Sequence, residues 1–211
     1  MTVYRVTSSD AGIPRQKYAS LGAPSDRIID RDFNEFEGKP YSKKWRPYTV
    51  HLDKPRLPRP DFFGYDSKVL VCNQRALDLA GEPMEMAGEL FPIKIEGEKI
   101  RLYILNITEC INVVDPKKSQ WREWGPGHKT LEKPAFRPER FGEHTSLFKI
   151  PQNLGLVIYC LERSADPYDA EFKALVDEHR LTGLEFEPIW TDRKRKIRKL
   201  SKPHRATRRK G

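Results

Sequence analysis

An α+β fold is expected for this chain, on three observations. The stretches Lys68–Ile95 and Leu154–Trp190 follow one pattern: a short apolar strand ending near a Cys, a polar cap, an amphipathic helix, a Gly, then an apolar segment around a Pro. The residues between them alternate apolar and polar side chains, which is the period of a strand. From residue 192 the composition changes abruptly. The expected architecture is therefore two strand–helix–strand units around a β-rich insert containing a hairpin, followed by a basic C-terminal tail expected to be disordered. The corresponding divisions are 1–44, an irregular N-terminal segment; 45–191, the α+β domain; and 192–211, the tail.

In chain order, Val3 to Val6 fits a short strand, with Tyr4 and Val6 set among polar neighbours. Pro14, Gly22 and Pro24 break up the next stretch, and Arg27 to Phe36 fits either a short helix or an extended arm. Trp45 to Leu52 alternates as a strand does. Three Pro between Pro55 and Pro60 exclude helix and favour an extended path. That path is expected to lie on its own domain, anchored by Phe62 and Phe63, with a PxxP-type ligand for another domain as the alternative. Lys68 to Cys72 reads as a buried strand, Asn73 as an N-cap, and QRALDLAG as a helix closed by Gly81. Phe91, Ile93 and Ile95 alternate, Glu96-Gly97 supplies a turn, and Ile100, Leu102 and Ile104 alternate back, so a hairpin is expected here.

Ile107 to Val114 reads as more strand or as the entry to the Asp115-Pro116-Lys117-Lys118 turn. Gln120 to Trp124 fits a strand ending at Gly125-Pro126-Gly127. His128 to Glu143 is polar, contains Pro134 and Pro138, and is expected to be loop. Leu147 to Ile150 and Leu156 to Leu161 are short strands. Ser164 or Asp166 is placed to cap a helix starting near Pro167, with Phe172, Leu175 and Val176 on its apolar face and Glu171, Lys173, Asp177 and Glu178 opposite. Gly183 ends that element, and Leu184, Phe186 and Ile189 form the last strand.

The chain of 211 residues carries 39 Lys and Arg against 30 Asp and Glu, a net +9. Eleven of the cations and one acid fall between Asp192 and Gly211, which leaves 28 basic and 29 acidic groups on the rest. The body is thus close to neutral and the basicity belongs to the tail. A tail with two sizeable apolar side chains, Ile197 and Leu200, cannot bury enough surface to fold alone. Its candidate polyanion-binding residues are Arg193, Lys194, Arg195, Lys196, Arg198, Lys199, Arg208 and Arg209. Non-specific nucleic acid, an anionic membrane surface or an acidic partner would suit them. No aromatic is interleaved for base stacking.

Three Cys, with no CxxC spacing, read as reduced and buried thiols. The residues after Met1 hold neither an apolar core nor an early basic cluster of a signal peptide, and no run is long enough for a membrane span, so a cytoplasmic location is expected. The five His lie in no nucleophile or HExxH pattern, and no GxSxG, GxGxxG or Walker A motif occurs. No catalytic residue, metal or cofactor is expected, and the chain is read as not an enzyme. Trp121 and Trp124, three apart, would face opposite sides of a regular strand, which allows one core and one exposed member; that both pack in the core or against loops is the other reading. With His128, Arg137 and Arg140 of the following segment they are the candidate partner-binding residues, since Trp and Arg commonly anchor interfaces.

Four segments carry a resemblance: Pro60–Leu79, Leu90–Asp115, Ser146–Pro151 and Ala170–Trp190. They are similar to bacterial immunity-protein family eleven of polymorphic toxin systems, formerly a domain of unknown function, over roughly residues 45–190. The shared features include the hairpin with Ile93, Gly97 and Leu105, the turn at Asp115, Phe148, and Thr182-Gly183-Leu184-Phe186. The resemblance implies a cytoplasmic, non-catalytic protein that neutralises a cognate toxin domain from a neighbouring gene by stoichiometric binding. The alternative is a nucleic-acid-associated module acting through the tail.

Overall fold

A computed structural model of the chain describes residues 1–8, 16–22, 36–125, 128–143, 145–154, 156–163 and 171–192. The fold is mixed α+β, and among the described residues twelve strands outnumber two α-helices. One sheet has four strands in the order β10 (Leu147–Phe148), β11 (Ile158–Glu162), β1 (Thr2–Ser8), β12 (Leu184–Thr191). A second has six, in the order β2 (Ser20–Gly22), β3 (Thr49–Asp53), β6 (Gly88–Ile95), β7 (Arg101–Ile107), β5 (Leu70–Asn73), β4 (Phe62–Phe63). A separate hairpin joins β8 (Gln120–Gly125) to β9 (His128–Lys133). Helix α1 (Gln74–Ala87) runs between β5 and β6, and α2 (Phe172–Glu178) between β11 and β12.

Alternation along the strands distributes the apolar side chains to three cores. Leu70 and Cys72 of β5, Leu105 and Ile107 of β7, and Ile158 and Cys160 of β11 point into one shared core with Met84 of α1 and Phe172 of α2. Both sheets therefore bury a face against the same pair of helices, which pack on each other. The alternate residues of β5 and β7, such as Val71 and Ile104, face a second core covered by Phe36, Tyr41, Trp45 and Phe91. Tyr159, Leu161 and Val3 face a third, with Phe136 and Phe148.

The expected elements are displaced in places, and each displacement has a physical cause. The helix after Asn73 does not close at Gly81. Asn73 caps it as expected, its side-chain oxygen accepting from the Ala76 N–H at 2.9 Å. Ala80 then leaves helical geometry (φ −135°, ψ 21°) and the helix resumes to Ala87. The break puts Pro83 in the first turn of the resumed segment, where a missing N–H costs no hydrogen bond. His128–Lys133 is strand, not loop, because it pairs with β8. The strand expected at Val3 to Val6 is present and longer, and β1 is an interior strand, paired with both β11 and β12. Trp45 precedes β3 rather than belonging to it, and its indole N–H donates to the Pro92 carbonyl at 2.9 Å.

Ile100 lies outside β7 and is exposed. Between Ile107 and Val114 the chain makes only isolated bridges, Cys110 to Lys149 and Val114 to Phe136. The Pro-rich stretch is not wholly extended: Leu57 N–H bonds the Lys54 carbonyl, making a turn, while Arg59 doubly engages the Glu98 carboxylate at 2.6 Å. Glu171 is buried rather than on the polar face, since its carboxylate accepts from the Arg163 N–H at 2.9 Å and pairs with that guanidinium. The caps proposed at Ser164 and Asp166 lie outside the described residues, as does nearly all of Arg27 to Phe36. The first N–H of α2, that of Phe172, bonds the Ser146 hydroxyl at 2.8 Å. Cys72 and Cys160 are buried free thiols, and Cys110 is partly exposed.

Two buried polar contacts fix how these parts meet. The Lys149 ammonium, fully enclosed, donates to the Phe36 carbonyl at 2.7 Å and holds the covering segment onto the body. Its burial pushes its pKa down to about 8. Asp61, just before β4, accepts from the Thr182 N–H at 2.9 Å and hydroxyl at 3.0 Å, the Asn73 amide at 3.3 Å and the Arg75 guanidinium at 2.9 Å. In return the Phe62 N–H bonds the Thr182 carbonyl at 2.9 Å. The next residue, Gly183, has φ +100°, and a Cβ there would sit 1.9 Å from the Phe62 carbonyl oxygen. Only Gly allows the two segments this close.

Burial alone would raise the Asp61 carboxyl, but these donors outweigh it and hold its pKa below the usual value of 3.8. A depressed carboxylate contributes stability above its unfolded pKa and loses it as pH falls through the folded one. Asp61→Asn is expected to cost about 2 kcal/mol at pH 7, the range for breaking a buried charged hydrogen-bond set. The cost should shrink as pH falls below about 4, where the unfolded chain's carboxylate takes up its proton first, and shrink further as pH falls through the lower folded value. Urea unfolding of both proteins at pH 7 and pH 3 measures the difference.

Candidate partner-binding surface

The β8–β9 hairpin is built on a clamped foot. Val114 and Phe136 form an antiparallel bridge, and the Asp115 N–H bonds the Ala135 carbonyl at 2.8 Å. The two chains then part around Pro116 to Lys118 and rejoin at Gln120 and Lys133. Asp115 organises the excursion: one carboxylate oxygen accepts from the N–H groups of Lys117 (3.0 Å) and Lys118 (3.3 Å). Burial works toward a higher Asp115 pKa, but these donors and the Lys118 ammonium hold it below the ordinary value. The Ser119 hydroxyl donates to the Asp115 carbonyl at 2.6 Å and accepts from the Ala135 N–H at 2.9 Å, tying both legs together.

Below the foot, Phe136 meets the rings of Phe141, Phe148, Tyr159 and Trp190 at centroid distances of 5.7 to 6.3 Å. Trp121 and Leu131 are half-buried against this core, and the Trp121 indole N–H donates to the Pro116 carbonyl. Further out the hairpin is exposed on both strands. Between the pairs Glu123–Lys129 and Gly125–His128 the register shifts, and Trp124 occupies the bulge. A bulge re-aims the side chain it carries. Trp124 is 68% exposed, the joint highest value among the large apolar residues described.

That ring is nonetheless fixed. Its N–H donates to the Thr130 hydroxyl at 2.9 Å, and the Arg122 guanidinium carbon lies 5.4 Å from its centroid, within cation–π range. Arg122 is in turn paired with Glu132 at 2.5 Å, and Lys129 with Glu123 at 2.5 Å. The Lys129 ammonium holds the Glu123 carboxyl below its usual pKa. An anchor already held in one orientation loses little freedom when a partner covers it.

Of the residues singled out in the sequence, Trp121 and Trp124 divide into a core-facing and an exposed member, and His128 sits at the exposed end beside Gly125. Arg137 and Arg140 lie at the opposite end, by the foot. The Arg137 N–H bonds the Val113 carbonyl at 2.8 Å, and the Arg140 guanidinium donates to the Asn112 carbonyl at 3.2 Å. The eight tail cations lie outside the described residues. Arg122, Thr130 and Glu132 were missed. Their signal was the cross-strand match of opposite charges on either side of Gly125-Pro126-Gly127, a pattern that favours pairing.

Among the described residues no group of three or more His, Cys, Asp or Glu is placed to hold a metal, and no helix is long and apolar enough to cross a membrane. Comparison with protein families finds no matching family, and no curated protein matches the chain.

Truncation of Trp124 to Ala is expected to change stability by less than about 0.5 kcal/mol, as for an exposed side chain. Phe136→Ala, in the core beneath the foot, is expected to cost about 3 to 5 kcal/mol. Chemical denaturation of the two variants checks that the tip is dispensable for folding and the foot is not.

Proposed function

We propose that this chain is a cytoplasmic, non-catalytic binding protein. It would act as an immunity protein, resembling family eleven of polymorphic toxin systems, that neutralises the toxin domain of a neighbouring gene by stoichiometric binding. The observation that carries the reading is the β8–β9 hairpin: a rigid foot in an aromatic core, and a preorganised Trp–Arg pair exposed at its far end. Trp and Arg dominate the energetics of protein interfaces, which favours a binding role for such a pair.

In this reading the scaffold consists of two strand–helix–strand units, β5–α1–β6 and β11–α2–β12. In each, the outer strands flank an antiparallel third strand, β7 in one and β1 in the other. The hairpin belongs to the insert between the units. A specific complex buries about 1,600 Å² in total, more than the hairpin alone supplies, so neighbouring surface would contribute.

The second reading, a nucleic-acid-associated module, rests on the eleven cations of residues 192–211. Co-expression separates the two. The toxin domain encoded beside this chain's gene is expected to be tolerated when the full chain or residues 1–192 are present, and to co-purify with either in a 1:1 complex. Failure of the folded full chain to protect against an active toxin domain contradicts the immunity reading. Loss of protection on removal of the tail alone would transfer the essential contacts to residues 193–211.

A further inference from the structure

Charge is unevenly spread along the hairpin. Around Trp124 the four ionised side chains cancel in pairs, Arg122 with Glu132 and Glu123 with Lys129. The exposed end is thus an indole set in a locally neutral surface. At the foot stand Lys117, Lys118, Lys133, Arg137 and Arg140, against the carboxylates of Asp115 and Glu139. Asp115 is already engaged by Lys118 at 3.4 Å and by two backbone N–H groups. Lys117, Lys133 and Arg140 are exposed. None of Lys117, Lys133, Arg137 and Arg140 forms an ion pair among the described residues. The hairpin therefore has an aromatic tip and a basic collar, with the four strand steps from Gln120, opposite Lys133, to Trp124 spanning roughly 13 Å at strand rise.

We propose that the surface receiving this hairpin is a cleft in a partner protein, with an apolar floor for Trp124 and an acidic rim facing the collar. The inference rests on the immunity reading and names the chemistry of the toxin-domain face. A projecting element of this length meets a flat surface only at its tip, whereas a cleft uses both the tip and the collar. Opposite charge at the rim steers encounter, and a desolvated Trp in a pocket slows departure. A single-stranded nucleic acid fits less well. A base stacked on Trp124 would meet an Arg122 already paired with Glu132, whereas single-strand binders hold phosphates in a positively charged groove.

The test is kinetic and uses the full chain immobilised, with the adjacent-gene toxin domain as analyte, between 50 and 500 mM NaCl. Because the tail is present throughout, only differences between variants are read. The double variant Lys117→Glu, Lys133→Glu is expected to lower kon about tenfold at 50 mM NaCl, with koff within about twofold and the difference closing at high salt. Trp124→Ala is expected to raise koff about thirtyfold with kon nearly unchanged. Circular dichroism and thermal melting confirm that both variants fold.

A complex whose kon is unchanged or raised by the charge reversal overturns the acidic rim. A complex indifferent to Trp124→Ala overturns the apolar floor. Both results leave the immunity reading standing. If the folded chain forms no complex with an active toxin domain, that reading falls and this inference falls with it. A fluorescein-labelled 15-nucleotide poly-uridine strand is the competing probe, and weaker binding of it by Trp124→Ala also overturns the protein cleft.

Discussion

The contact between Asp61 and Thr182 holds the two halves of this molecule together. Asp61 precedes the edge strand of the six-stranded sheet, and Thr182 precedes the edge strand of the four-stranded one. The same carboxylate also reaches Asn73, the residue that caps α1. One buried group thus sets the helix start, the sheet edge and the approach of the second sheet. The close passage at Gly183 follows from it, since the backbones can meet only where no Cβ intervenes. With the sheets set this way, each turns one face toward the two helices, and Cys72, Met84, Cys160 and Phe172 become neighbours in a single core.

A second constraint, at Asp115 and Ser119, does for the hairpin what Asp61 does for the body. The chain leaving β7 crosses to the four-stranded sheet through the Cys110–Lys149 bridge and then the Val114–Phe136 bridge. Phe136 seats that crossing in an aromatic cluster, and the Asp115 turn locks the two legs. The result is a short lever with a buried base and an exposed end. For the proposed binding role, rigidity at the base limits the entropy lost on binding and exposure at the end supplies the contact.

Much of this was legible in residue patterns. Alternation located β6 and β7 around Gly97, whose φ of +72° suits the turn. The Asn73 cap and the apolar stripe of α2 were also readable, because they are local. What failed depended on distant partners. The Gly81 stop looked sound in isolation, yet a kink at Ala80 lets the helix pass Pro83. Glu171 sits in polar sequence but is buried because Arg163 pairs with it. His128 to Lys133 shows weak apolar alternation, with Leu131 as its single apolar member, so only pairing with β8 reveals it as strand. The two Trp residues could be singled out from sequence, but which one is exposed depends on a register shift that no spacing rule encodes.

Whether the proposed recognition resides in the hairpin is tested most directly by hydrogen–deuterium exchange of the chain alone and with the toxin domain that the proposed immunity role assigns to a neighbouring gene. The account predicts that peptides spanning Gln120–Lys133 slow markedly in the complex while those of α1 and β12 change little. Unchanged exchange across the hairpin, with new protection elsewhere on the body, would contradict it.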